Sequence, residues 1–155
     1  MIDETDVKLL ELLSRDASAT ATEMMSQVNL SVPAINKRIR KMRQSGVIRR
    51  FTTVVDGEKV GKPIMAFILL ILQQASAVDS LLQYVSADPD VLECYAVTGE
   101  YDYIVKVCAA DVKALERKLT LLKQRNGVVK SHTLFALKEC KLQVSIQPDS
   151  AEIQE

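Results

Sequence analysis

From Ile2 to Gln44 the apolar positions recur at helical spacing, and three short helices follow from them. The first runs from about Asp3 to Arg15, with Val7, Leu10 and Leu13 as its stripe and Ile2 and Leu9 beside it; Asp3, Glu4 and Asp6 suit the positive end of its dipole. Thr20-Ala21-Thr22-Glu23 has the spacing of a capping box and opens a second helix with Met24, Met25 and Val28 inside. After the turn Asn29-Leu30, Ser31 is placed to cap a third helix reaching Gln44, and Pro33 is tolerated in its first turn. Ile35, Ile39 and Met42 form its buried stripe, while Lys37, Arg40, Lys41 and Gln44 point the opposite way and Arg38 and Arg43 lie on the flanks. Ser45-Gly46 ends it, and the β-branched run Val47–Val55 predicts a strand.

Asp56–Pro63 is a polar hinge holding Gly57, Gly61 and Pro63, and beyond it the period changes. Ile64–Leu72 is nearly all apolar, as expected of a strand covered on both faces. A helix over Ser76–Ser86 carries a Ser76-x-x-Asp79 capping pattern and an inner face of Val78, Leu81, Leu82 and Val85. A strand over Val91–Val97 follows, then the turn Thr98-Gly99-Glu100, then a strand over Tyr101–Cys108 with Tyr101, Tyr103, Val105 and Val107 on one face. Asp111 caps a helix striped by Val112, Leu115, Leu119 and Leu122, which Asn126-Gly127 stops before a strand over Val128–Leu137. This order is the split βαβ, or ferredoxin-like, arrangement. A short strand near Leu142–Ile146 is expected to add to an edge or to a partner chain, and from Pro148 the tail frays.

The expected fold is therefore α+β: a winged helix-turn-helix over 1–55, a hinge over 56–63, a ferredoxin-like βαββαβ domain over 64–147 and a tail over 148–155. At 155 residues and 48% apolar content the chain can build both cores. The longest charge-free apolar run, Ile64–Leu72, falls short of the roughly 20 residues that span a bilayer, and the acidic start lacks the pattern of a secretory signal. A cytoplasmic location without membrane attachment is expected. Cys94, Cys108 and Cys140 are far apart and read as core thiols, neither disulfides nor metal ligands.

The zero net charge hides an asymmetry: Lys37, Arg38, Arg40, Lys41, Arg43, Arg49 and Arg50 fall between Ser31 and Arg50 with no acidic residue among them. Such a block is often just a solvated helix face. Helix, turn, basic helix and strand in succession make it a candidate for double-stranded DNA, because a helix fits the major groove and flanking cations bind phosphates. Ser31, Pro33, Ala34, Asn36 and Lys37 stand at the helix entrance, where bases are read; Arg38, Arg40, Lys41, Arg43, Arg49 and Arg50 suit the backbone.

Three segments carry a resemblance. Ile2–Leu13 (IDETDVKLLELL), then Val28–Ser31 with Asn36–Ile39 and Ser45–Ile48, then Val97–Val107 (VTGEYDYIVKV) resemble, in this order, the leucine-responsive/AsnC family of regulators. The likeness covers roughly Ile2 to Gln147. It implies a winged helix hinged to a ferredoxin-like effector domain, homodimers formed through that domain's sheet, assembly to rings such as octamers, and an amino acid or related metabolite as effector. By position it implies effector contacts at Gly99, Glu100, Tyr101 and Asp102 and at Ser131, Thr133, Leu134 and Ala136, where a hairpin turn alone also accounts for the first four. An ammonium group would take Asp102 or Glu100, and a carboxylate the amides exposed at the Gly99 turn. Met42-Arg43 replaces the family's frequent Leu-Glu, Glu100 a common aspartate, and Leu134 an aromatic found in some members.

His132 is the single histidine, and no nucleophile, phosphate loop or metal spacing accompanies it, so no catalytic residue, metal or cofactor is expected. Two rival readings share the layout: a nucleoid-organising protein with little sequence preference, and a sirohaem-decarboxylase-like enzyme, whose basic, histidine-bearing pocket this sequence lacks.

Overall fold

Two aspartates begin the first helix. In the computed structural model, which describes residues 2–74, 76–125 and 127–148, Asp3 caps α1 (Glu4–Arg15). Asp6 N–H donates to Asp3 Oδ1 at 2.9 Å and Asp3 N–H donates back to Asp6 Oδ2 at 3.2 Å. The expected box at α2 (Ala21–Val28) is made too, with Thr20 N–H donating to Glu23 Oε2 at 2.7 Å. Asn29 stops α2 in the left-handed region (φ 53°) and turns the chain into α3 (Val32–Gln44). Ser31 is the N-cap of α3, but its side chain makes no capping bond. Pro33 occupies the second helical position and removes one of the two amides an N-cap side chain can accept from.

The three helices close over Leu9, Leu13, Met24, Ile35 and Met42, with Leu10, Val28, Leu30, Ile39 and Ile48 packed against them. Met25, expected inside, is exposed because the short α2 turns only one methionine toward the core. The expected strands over Val47–Val55 and Leu142–Ile146 are not assigned. β-branched residues favour extended chain, but a strand exists only when a ladder partner takes its backbone groups, and none does so here. Contacts group the described residues of Met1–Val54 and Lys141–Glu155 into one unit and Val55–Cys140 into a second.

In the second unit β1 (Ile64–Leu72), α4 (Ala77–Ala87), β2 (Val91–Ala96), β3 (Tyr103–Ala109), α5 (Val112–Arg125) and β4 (Val128–Phe135) follow the expected order. The sheet runs β2-β3-β1-β4, and each neighbouring pair is antiparallel. Ala66, Ile68 and Leu70 of β1 and Val105 and Val107 of β3 bury one face under Leu81 of α4 and Leu115 and Leu122 of α5. The opposite face of β1, with Met65, Phe67, Leu69 and Ile71, is only half-buried, so the described residues do not supply the expected double cover.

Asp111 caps α5, accepting from Ala114 N–H at 2.6 Å. The Ser76–Asp79 box is not made at α4: Ser76 itself has helical angles, so its hydroxyl is not presented to the following amides. Asn126, assigned to the stop after α5, lies outside the described residues, as does Ala75. Gly127 takes φ 63°, and a Cβ there would stand 2.7 Å from that of Ala77. Cys108 is buried and Cys94 half-buried, but Cys140 is exposed, against the expectation of three core thiols.

One side of this unit is fastened by a charge network that no local spacing in the sequence signals. Lys118 of α5 reaches Asp88 at 2.5 Å and Asp90 at 3.1 Å, and Lys62, just before β1, also pairs with Asp90. Burial pushes the Asp88 carboxyl up, but hydrogen bonds from Lys118 and from Asp90 N–H outweigh it and leave its pKa below the ordinary value. Asp90 is lowered as well, chiefly by Lys62. Depressed carboxyls stabilise the fold above about pH 4, the unfolded value, and that contribution disappears as the pH falls through the folded values. All four tyrosines, Tyr84, Tyr95, Tyr101 and Tyr103, lie in this unit, so tyrosine fluorescence reports its unfolding alone. Lys118→Met is expected to lower the urea midpoint at neutral pH and to flatten its decline on the acid side, followed by that fluorescence.

Candidate DNA interface and effector loop

The side chains of α3 divide by the period of the helix. Ile35 and Met42 are buried, while Ser31, Pro33, Asn36, Lys37, Arg40, Lys41, Arg43 and Gln44 are exposed and Ala34 is half-buried. Arg49 and Arg50 are exposed beyond the Ser45-Gly46 turn. Arg43 stands over the ring of Phe51, 5.7 Å from its centroid, and Arg40, Arg43, Gln44, Ile48 and Arg49 line one shallow recess. Among the described residues Lys37, Arg40, Lys41, Arg43, Arg49 and Arg50 have no carboxylate partner. Six unpaired cations on one side of a small unit produce a field that attracts a polyanion.

Arg38 stands apart from them. Its Nη1 donates to Asp3 Oδ2 at 2.6 Å and to Asp6 Oδ1 at 2.8 Å. Nothing in local spacing signals this pairing, since it links residues 35 and 32 positions apart in the chain. Both partners respond: the Asp3 carboxyl lies below its ordinary value, first through the Asp6 amide and then through Arg38, and the Arg38 guanidinium is raised by Asp6 and Asp3.

In the candidate effector loop Gly99 takes φ 116°, a conformation that favours glycine, and Glu100 is exposed. Asp102 is held from three sides. Its N–H donates to Leu70 O at 2.9 Å, its carbonyl accepts from Val97 N–H at 2.9 Å, and its Oδ2 accepts from Leu72 N–H at 2.8 Å. This carboxylate is therefore partly engaged in holding the turn, leaving Glu100 as the more available acid. Tyr101 does not share a face with Tyr103, as the alternation had implied. Tyr103 pairs with Leu70 and packs on the core, whereas the Tyr101 ring meets His132, at 6.5 Å between centroids, and Lys130 Nζ, at 5.8 Å. His132 and Lys130 pair with Leu69 and Ile71 on the other face, and the turn at Asp102 interrupts the two-residue period between the tyrosines.

The β4 residues divide in the same way. Ser131 and Thr133 pair with Leu70 and Ile68 on the helix-covered face, while Leu134 pairs with Phe67 on the open one. Ala136 lies beyond the strand, its N–H donating to Met65 O at 2.9 Å. The side chains of Ser131 and Thr133 and that of Leu134 thus lie on opposite faces of the sheet, because successive side chains of a strand alternate. Among the described residues no group of three or more His, Cys, Asp or Glu side chains is arranged to hold a metal ion, and no helix is long and apolar enough to cross a membrane.

Comparison with known proteins agrees with both halves. Residues 2–49 match the winged helix-turn-helix DNA-binding family and residues 65–146 the Lrp/AsnC ligand binding domain. The chain is 34% identical over 140 residues to the HTH-type transcriptional regulator FL11 of Pyrococcus horikoshii, covering 90% of this chain and 92% of that protein. It is 32% identical over 142 residues to the glutamate uptake regulatory protein of Zymomonas mobilis, covering 90% and 87%. A transcriptional regulator from Neisseria meningitidis, solved as a complex with L-Met, superposes with a TM-score of 0.88 at 29% identity, covering 94% of this chain and 96% of that one. With a helix-turn-helix at its start, a four-stranded βαββαβ unit after it and these relatives along nearly its whole length, the chain belongs to the Lrp/AsnC family of transcriptional regulators.

Proposed function

We propose that this protein regulates transcription by binding double-stranded DNA through α3 and by responding, through its second unit, to an amino acid or close relative. The observation that carries the reading is the exposed, acid-free side of α3 with Lys37, Arg40, Lys41 and Arg43, extended past its end by Arg49 and Arg50. Asn36 and Lys37 lie near the helix start, where a recognition helix reads base edges, and the recess lined by Arg40, Arg43 and Arg49 suits a backbone phosphate. The relatives' names support the regulator class, and the L-Met bound to the Neisseria protein supports an amino-acid ligand. We assign the protein no catalytic role, since His132 lies against Tyr101 on an exposed strand rather than beside a nucleophile or an acid. The half-buried apolar row Met65, Phe67, Leu69 and Ile71 favours self-association through the sheet, to a homodimer and from there to a larger ring such as an octamer. A cytoplasmic site of action follows from this reading.

If a dimer neutralises about six to eight phosphates, log affinity falls against log salt with a slope of roughly −5 to −7. Arg40→Gln is expected to reduce the magnitude of that slope by about two, one contact worth about 0.9 from each protomer. Equilibrium titration of duplex DNA at several salt concentrations measures both, and an unchanged slope removes Arg40 from the interface.

For the effector, a thermal-shift screen against the amino acids is expected to yield a selective ligand, since binding at 100 times Kd stabilises the native state by about 2.7 kcal/mol. Glu100→Gln is expected to weaken that ligand about ten- to a hundred-fold, the equivalent of about 1.5–3 kcal/mol for a charged hydrogen bond. Asp102→Ala should instead destabilise the unit even without ligand, by about 0.5–1.5 kcal/mol, because it removes the hydrogen bond from the Leu72 amide. Calorimetric titration and tyrosine-monitored unfolding of the two variants separate the roles.

A further inference from the structure

We infer that Arg38 is the residue that sets the roll of the recognition helix, and that it serves DNA specificity as a positioning residue rather than as a phosphate contact. The inference rests on the reading of α3 as the DNA helix. Four carboxylate oxygens are involved, and each has one assigned task. Asp3 Oδ1 and Asp6 Oδ2 accept each other's backbone amides, closing the cap of α1, while Asp3 Oδ2 and Asp6 Oδ1 both turn to Arg38 Nη1. A single guanidinium nitrogen thus ties α3 to the first turn of α1 at two points. The Asp6 side chain is 8% exposed and that of Arg38 32%. On α3, Arg38 follows the buried Ile35 by one turn and precedes Met42 by another, so it belongs to the inward side of the helix.

Two physical arguments separate Arg38 from its basic neighbours. Two carboxylates and one guanidinium leave the cluster with net charge −1, so a phosphate approaching Arg38 meets a repelling site, whereas one approaching Arg40 or Lys41 does not. Apolar packing of Ile35 and Met42 against Leu9 and Leu13 is non-directional and tolerates small rotations of α3. A pair of short charge-assisted hydrogen bonds does not, since rotation would strand a nearly buried carboxylate. Whether Asn36 and Lys37 face the base edges depends on that roll, and a misaligned helix keeps its phosphate attraction while losing discrimination.

The test uses the full-length protein and two probes: a random-sequence duplex pool, and a duplex enriched from that pool by the wild type. Affinity for each is measured across salt concentrations, under conditions where circular dichroism shows every variant folded. Arg38→Gln is expected to reduce the preference for the enriched duplex about ten-fold or more while leaving the salt slope on the pool unchanged, and Arg38→Lys to recover part of the preference by reaching one carboxylate. A lost phosphate contact would behave oppositely, reducing the slope by about two in a dimer and weakening both probes alike; that result overturns the proposal. Should Arg38→Gln not fold, Asp3→Asn, which changes the more exposed partner, carries the test: reduced preference with an undiminished slope supports the tether, and unchanged preference overturns it. If the wild type binds neither probe, the DNA reading fails. The tether is then judged by hydrogen exchange, where equal protection of α1 and α3 in wild type and Arg38→Gln overturns it too.

Discussion

Ile64–Leu72 has nine consecutive apolar residues, and its backbone donors and acceptors are satisfied only when a strand lies on each side. β3 and β4 take those places, both antiparallel, which makes β1 the centre of the sheet and leaves β2 outside β3. Once β1 is central, the two-residue period puts Ala66, Ile68 and Leu70 on one face, and α4 and α5 must cover that face to exclude water. The loops at the ends of these strands inherit their positions from this arrangement. The Gly99–Asp102 turn stands beside the end of β1 because Asp102 bonds to Leu70 and Leu72, and Lys62 reaches Asp90 at the strand's other end.

Charge is used in two distinct ways. Acidic residues are concentrated where they fasten elements: Asp3 and Asp6 hold α1 to α3, and Asp88 and Asp90 hold Lys62 and Lys118. Among the described residues, the cations outside those clusters from Lys37 to Arg50 have no carboxylate partner. A formal net charge of zero is thus compatible with strong attraction for a polyanion, because pairing removes negative charge from one region while leaving positive charge exposed in another. Arg38 marks the boundary between the two uses: it sits within the basic run but is committed to the acidic cluster.

The Gly99–Asp102 turn shows how one irregularity redistributes side chains. At Asp102 the chain departs from strict alternation, so Tyr101 and Tyr103, two apart, serve opposite faces: one joins the core and the other meets Lys130 and His132. The same face logic separates Ser131 and Thr133 from Leu134 on β4. Neither face of a single protomer therefore combines all the residues that the family resemblance implies.

The order of the five helices and of the four strands of the sheet was legible in the sequence, because helical and strand periods each persist over enough residues to outweigh local noise: Thr20 with Glu23, Asp111, and the strand-helix-strand succession after Pro63 all stand where their chemistry places them. The basic run on α3 was legible too, since charge is a property of composition and the helical period assigns its face. Long-range pairing was not. Arg38 with Asp6, and Lys118 with Asp88, join residues whose separation carries no periodic signal, and the fate of each charge depends on which helices come to lie side by side. The run Val47–Val55 had the composition of a strand but not the partner that makes one, and Ser31 had the side chain of a cap but Pro33 where a donor was needed. Local preference is written in the identity of each residue and its near neighbours; hydrogen-bond and ion partners are supplied by distant segments, and only the folded arrangement brings those within reach.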